Sequence, residues 1–422
     1  MNTDQKRAYA ATFPVHVGVD TAKIFHKLVV RGPDGQRTKA YKVVVSRAGF
    51  EAAAAHLRDS YPGIAPQQVL VGLEFAGHHG FTFAHFLAQR GYVVVNVLAA
   101  HTKASKEIED NNPRKDDAKD AAQVCKLVGD GIFVRFPFLE HPYLELRLLT
   151  VHRHRLTVEA TRFKNRLQGL LDLAWPEFLG QFSTLHKATP RAILERWPLP
   201  ADLLAAPIRT VRKEIHAASR GHVSREQIDV VVAAARTSIA LTQAAPERRL
   251  EIQSLLARWA LVRRQLAVLE RRITALVEQC PEAKILTTVP EVSAVCAATI
   301  VAELGTPKDF AHYRQVLKLA GMNLASRSSG QSEGRKWQSK RGRPMLRRQL
   351  FLLAGRWCLT RGLYHQDYLA LKARNGGAGT KAVCTLARKL VPLLFKVMQS
   401  GEPFDRQRWL ANRRRPEAVL SR

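Results

Sequence analysis

Cysteine is scarce in this chain. There are five in 422 residues (Cys125, Cys280, Cys296, Cys358 and Cys384), with no close pair at metal or redox spacing. This excludes a disulfide framework and a zinc ribbon, and the five read as reduced packing residues of a cytosolic protein. Long apolar runs are missing as well: stretches such as Tyr92–Val95 fall far short of the roughly 20 residues that a membrane span needs. The opening MNTDQKRAYAATFPV has no apolar segment that would serve as a secretory signal. No lipidation signal or basic amphipathic anchor is seen, so no membrane partner is expected. Acidic residues are also in short supply, with 36 Asp and Glu against 66 Lys and Arg.

The resulting charge of +30 calls for a polyanion, and nucleic acid is the usual one. Its placement is uneven. Residues 1–130 carry only +4 of it, as an ordinary enzyme domain would, and the remainder carries +26. With 46% apolar residues the chain is globular, and its length calls for two or three domains.

Residues 14–130 read as α/β. Val15–Asp20, Phe25–Arg31 and a segment near Lys39–Val45 form a three-strand meander turned at Pro33-Asp34-Gly35. A helix around Ala52–Leu57, a strand Val69–Glu74, a helix around Phe81–Gln89, a strand Tyr92–Leu98 and a helix Asp116–Val128 follow. This is the order of a ribonuclease-H-like sheet. Beyond about residue 140 the pattern is helical, with no convincing strand. Leu144–Leu173 carries arginines and histidines on its polar side, and Pro190 to Pro207 reads as a proline-broken connector. Ile252, Leu255, Trp259, Val262, Leu266, Leu269, Ile273 and Leu276 keep a 3,4 heptad spacing. That seam is read as a dimerising coiled coil, with one arm of a helical hairpin packed on Leu144–Leu173 as the alternative.

Asp20 and Glu74 end apolar strands, and Asp117 and Asp120 share one face of a helix. Any one such acid reads as a cap or a solvated end. Four brought together repel one another unless divalent cations compensate, and hard oxygen donors suit Mg²⁺ or Mn²⁺. Two ions about 4 Å apart stabilise both oxygens of a phosphodiester exchange. The loop Ser326–Arg343 has three glycines, five serines and six basic residues, a phosphate-seeking composition. Lys340, Arg341 and Arg343, and with them Arg335, Lys336 and Arg347, are the candidate nucleic-acid contacts.

Four stretches carry a resemblance. They are VGVDTAKIFHKLVV (17–30), GLEFAGHHGFTFAHFLAQRGYVVVNVL (72–98), RKDDAKDAAQVCKLV (114–128) and the long segment 286–350 from LTTVPEVSAV to RPMLRRQL. Together they resemble the DEDD transposases of the insertion-sequence-110 family. The resemblance implies a RuvC-like, Holliday-junction-resolvase-like catalytic domain (1–135), a helical coiled-coil connector (136–282), a C-terminal transposase domain (283–412) and a basic tail (413–422). It implies an Asp20–Glu74–Asp117–Asp120 tetrad holding Mg²⁺ and a nucleophilic serine at Ser329, with Ser328 and Ser332 as alternatives. It further implies donor and target DNA, a bridge RNA, pairing of protomers into a homodimer or homotetramer, and a cytoplasmic, nucleoid-associated setting. The chain departs from the family at Pro290-Glu291-Val292-Ser293, where Pro-Gly-x-Gly is usual. Competing readings are a junction nuclease that uses water and a non-catalytic RNA- or DNA-binding protein.

Overall fold

The computed structural model describes residues 3–414 apart from 76, 110–116, 137–139, 183, 186, 327–335 and 361; the side chains of 109, 117, 118, 135 and 412–414 are likewise outside the description. The chain divides into two compact units, Met1–Phe138 and Leu139–Arg422.

The first unit is a sheet covered by helices on both faces. Its elements are α1 (Thr3–Ala11), β1 (Val15–Asp20), β2 (Phe25–Arg31), β3 (Tyr41–Val44), α2 (Arg47–Ser60), β4 (Val69–Glu74), α3 (Phe81–Gln89), β5 (Val93–Val97), α4 (Ala99–Glu109), α5 (Asp117–Gly129) and β6 (Val134–Arg135). The strand order is β3-β2-β1-β4-β5-β6. β1, β2 and β3 pair antiparallel, β1, β4 and β5 parallel, and β6 closes the edge antiparallel. Strand alternation sorts the core. Val15, Val17, Val19, Val71 and Leu73 meet Phe50 and Phe83 of α2 and α3, whereas Leu70, Val95 and Val97 meet Val124 and Val128 of α5. The five strands expected from apolar runs are present. α1, α4 and the two-residue β6 were not foreseen, because α1 and α4 are polar and β6 is too short to show a period.

In the second unit α6 (Tyr143–Ala174) leads into α7 (Pro176–Gln181), α8 (Ala188–Arg196), α9 (Pro200–Ala205), α10 (Ile208–Ala218) and α11 (Arg225–Arg236). Then come α12 (Ala245–Glu278), α13 (Pro281–Leu286), α14 (Ala294–Leu304), α15 (Tyr313–Leu319), β7 (Leu324–Ser326), β8 (Lys336–Gln338), α16 (Pro344–Leu359), α17 (His365–Arg374), α18 (Gly379–Ser400) and α19 (Arg406–Arg414). The expected connector at Pro190 to Pro207 is instead helical. Pro190 lies in the first turn of α8, Pro200 opens α9 and Pro207 precedes α10, positions where a missing N–H costs nothing. These helices build a core of their own around Trp175, Phe178, Trp197 and Trp259.

The heptad seam of α12 is filled within the chain, as the hairpin reading requires. Ile252, Leu255, Trp259, Val262, Ile273 and Leu276 are buried and Leu266 and Leu269 half-buried. α6 runs antiparallel beside α12, tied by Arg153–Glu270 at 2.6 Å and Arg166–Glu251 at 2.8 Å. A seam satisfied in this way does not by itself call for a second copy.

Candidate functional site

β1 and β4 are parallel with Asp20 opposite Glu74, so two carboxylates leave neighbouring strand ends at the same level, with backbones about 4.8 Å apart. The face they share is fixed two residues earlier. A Cβ on Gly18 would stand 2.2 Å from the carbonyl oxygen of Ala121, and one on Gly72 would stand 2.1 Å from a methyl of Val128. Both obstacles belong to α5, which therefore rests on bare backbone, on the face toward which Asp20 and Glu74 project. Ala121 lies over Gly18, so the first turn of α5, with Asp117 and Asp120, lies toward the two strand ends.

Asp120 is half-buried and forms a salt bridge with the ammonium of Lys106 on α4. Gln123 donates to the Ser105 hydroxyl at 2.9 Å, a second tie between α4 and α5. Lys27 is the antiparallel partner of Asp20 and so projects from the same face. Two cations thus stand beside the acids, and α4 supplies one of them.

The turn after Asp20 is held from three sides. The buried Thr21 hydroxyl donates to the backbone carbonyl of Glu74 at 2.6 Å. The Ala22 N–H donates to His26 Nδ1 at 3.2 Å. Gly80 adopts φ +91 in the turn after β4 and comes so close that a Cβ there would meet the Thr21 methyl at 2.5 Å. His26 is 1% exposed and packs on Phe50 and Phe83. Burial first, and the neighbouring His79 second, push its imidazole down to about 4. With Nδ1 accepting, its proton sits on Nε2, which is buried without a partner among the described residues.

Among the described residues no group of three His, Cys, Asp or Glu is gathered closely enough to hold a metal ion. The Asp117 side chain lies outside the description. The chemistry of the donor set still fits a hard divalent cation: carboxylate oxygens from two adjacent strand ends and one helix turn, already drawing in the Lys106 ammonium. Sequence reasoning missed Gly18, Gly72, Thr21, Lys27 and Lys106. A signal for the glycines was available, since VHVGVD and VLVGLE both place glycine two residues before the acid.

In the second unit Ser328, Ser329, Ser332 and Arg335 lie outside the described residues. The strands that flank them, β7 and β8, pair as a two-stranded ribbon. Lys336, Lys340 and Arg341 are exposed. Arg343 and Arg347 are engaged inward: Arg343 donates to the Glu303 carbonyl, and Arg347 donates to the carbonyls of Ala320 at 2.9 Å and Lys340 at 3.3 Å. These two brace the ribbon base through one guanidinium nitrogen each. Glu291 holds φ +64, a left-handed conformation, where the family usually has glycine. Ser293 caps α14, and Trp357 Nε1 donates to the Pro290 carbonyl at 2.7 Å, so this turn serves packing.

Two models of one protein family match the chain. Residues 17–176 match the DEDD transposase model for IS110 elements, described as "Transposase", and residues 283–369 match "Transposase IS116/IS110/IS902 family". Together they take in more than half of the chain. It is 27% identical to the insertion element IS110 uncharacterized 43.6 kDa protein of Streptomyces coelicolor, over 72% of this chain and 75% of that one. It is 24% identical to the insertion element IS116 uncharacterized 44.8 kDa protein of Streptomyces clavuligerus, over 92% of this chain and 96% of that one. The matched regions contain the two strand-end acids, the helix that covers their face and the ribbon-bearing segment, and the chain belongs to the IS110 family of insertion-sequence transposases.

Proposed function

We propose that this transposase cuts and rejoins DNA with a carboxylate-held divalent metal in the first unit and Ser329 as nucleophile from the second. The observation that carries this reading is the register of Asp20 with Glu74 beneath the first turn of α5. The strand order, a three-strand antiparallel meander followed by parallel β4 and β5, supports a ribonuclease-H-like, RuvC-like class for the first unit. The domain division 1–135, 136–282, 283–412 and 413–422 belongs to the same proposal.

Asp20, Glu74, Asp117 and Asp120 would hold Mg²⁺, or Mn²⁺ in its place. When bound, the metal supplies charge stabilisation for the oxygens of the reacting phosphate. The chain's own part is electrostatic and positional. The Thr21–Glu74 and Ala22–His26 bonds fix the strand ends, and Lys106 balances the charge of Asp120, as a bound metal would. In the exchange, Ser329 Oγ loses its proton and bonds to phosphorus, one bridging P–O bond breaks, and the departing sugar oxygen takes up a proton. Attack by a sugar hydroxyl on the phosphoserine reverses the sequence, so the number of phosphodiester bonds is conserved. A serine needs activation to act in this way, which a carboxylate- and metal-rich site supplies. The surplus of positive charge supports nucleic acid as the partner; donor and target DNA, a bridge RNA, a homodimer or homotetramer and a cytoplasmic, nucleoid-associated setting belong to the same proposal. No described helix is long and apolar enough to cross a membrane.

The deciding experiment traps a protein–DNA adduct with the parent, Ser329→Ala and the combined Ser328, Ser329 and Ser332 alanine variant. A covalent adduct lost with Ser329→Ala supports the reading. Strand cleavage without an adduct in the parent transfers the chemistry to water, and an adduct that survives loss of all three serines overturns the assignment.

A further inference from the structure

Trp337 stands on β8 with 45% of its surface exposed, which is unusual for so large an apolar side chain. Its partner across the ribbon is Ala325, too small to cover an indole. The ribbon is thin, yet its base is rigid. Ser339 N–H donates to the Asn323 carbonyl at 2.9 Å, its hydroxyl donates to the Asn323 side-chain oxygen at 2.6 Å, and Lys340 N–H donates to the Gly321 carbonyl at 3.0 Å. Gly342 presses so closely on the turn after α15 that a Cβ would stand 2.4 Å from Gly321 N. Along the chain the exposed cations next to Trp337 are Lys336, Lys340 and Arg341, with no acidic residue from 336 to 343.

We propose that Trp337 is a stacking platform for an unpaired nucleobase. Every base has a π face, so an indole accepts any of them, and the flanking cations take the phosphates on either side. A ribbon braced at its base gives the strand that carries the ring a fixed position, which favours stacking. The inference rests on the reading that this unit handles nucleic acid, but not on the serine chemistry, and it names what the ribbon grips. DNA and RNA both offer the base, and the assay separates them.

The test uses the full chain with single-stranded DNA and RNA 20-mers, each containing 2-aminopurine, and a duplex as control. Anisotropy is followed over a range of salt. Trp337→Ala is expected to weaken binding to at least one single strand by about 5- to 150-fold, the loss of one stacked base. Trp337→Phe should keep most of the affinity, and 2-aminopurine quenching should vanish only in the alanine variant. The salt slope on the single strands should be unchanged in Trp337→Ala but fall by about 0.7 in Lys336→Ala, since stacking releases no counterion. The arm that loses affinity identifies the strand type. Unchanged affinity for both strands, a phenylalanine variant as weak as the alanine one, or a changed oligomeric state in Trp337→Ala would each overturn the proposal. Adduct formation by Ser329 is scored separately, so failure of one reading is not mistaken for failure of the other.

Discussion

Gly18 and Gly72 are partners in register on adjacent parallel strands, and the same helix lies across both. Because neither carries a side chain, α5 sits directly on the sheet, on the face from which the acids two residues further on project.

Gly18→Ala should be the more damaging of the two. Its Cβ meets backbone atoms of α5, which move only if the helix moves, whereas that of Gly72 meets a valine methyl. Overpacking of this kind costs about 1–3 kcal/mol. Urea denaturation should show the larger loss for Gly18→Ala, and DNA cleavage should fall further than stability alone explains. Equal, small effects would mean that α5 does not depend on this contact.

Metal and Lys106 should compete for the same charge. Millimolar Mg²⁺ is expected to raise the melting temperature of the parent, and Asp20→Asn should abolish that rise. Lys106→Met should lower the melting temperature without metal and enlarge the Mg²⁺-dependent rise, because no resident ammonium needs to be displaced. A rise of the same size in Lys106→Met and the parent would remove Lys106 from this role.

The buried His26 makes the first unit acid-sensitive. The imidazole titrates at 6.5 when unfolded and near 4 when folded, so between those values the unfolded chain binds the extra proton. Stability from the neutral ring is complete above pH 6.5 and is lost as pH falls toward 4, by about 3 kcal/mol at 1.36 per unit. Burial lowers His16 and His56 as well, and these add to the slope. His26→Leu should lower stability at pH 7, since Ala22 loses its acceptor, yet flatten the profile from pH 7 to 5 by about one proton. An unchanged slope would refute it.

Glu291 occupies a backbone conformation that suits glycine. Glu291→Gly relieves a left-handed penalty of about 1–2 kcal/mol and adds back part of it as chain entropy. A net gain of about 0.5–1 kcal/mol is expected in denaturant titrations. A loss would mean that the Glu291 side chain holds the turn by contacts of its own.

Strands β1 and β4 were legible because both are apolar runs that end in an acid, and their meeting followed from the order of elements. Legibility failed where local sequence is ambiguous. Pro190 and Pro200 look like chain breaks, yet they occupy helix first turns, and only the packing around Trp175 and Trp259 shows it. The heptad of α12 has the same period whether its partner is another chain or α6, so a period read as a dimer seam is one that α6 fills within the chain. Gly18 and Gly72 read as weak points in a strand until the helix that needs them is placed. Asp120 was found by its spacing from Asp117, but its partner Lys106 lies on a helix too polar to stand out. For Arg343 and Arg347 composition marks a basic residue, but not the carbonyls of Glu303, Ala320 and Lys340 that each also engages.

The two long antiparallel helices of the second unit, α6 and α12, each contribute to two separate cores. Leu146, Ile273 and Leu276 belong to one; Leu167, Leu171, Ile252 and Trp259 belong to the other. At 32 residues α6 is about 48 Å long, and Leu156 and Val262 are among the few buried apolar residues between its ends. The pair therefore works as a strut with a packed knob at each end and a lightly filled shaft. A calorimeter should register two melting events in this unit, and the shaft is where a bend would cost least.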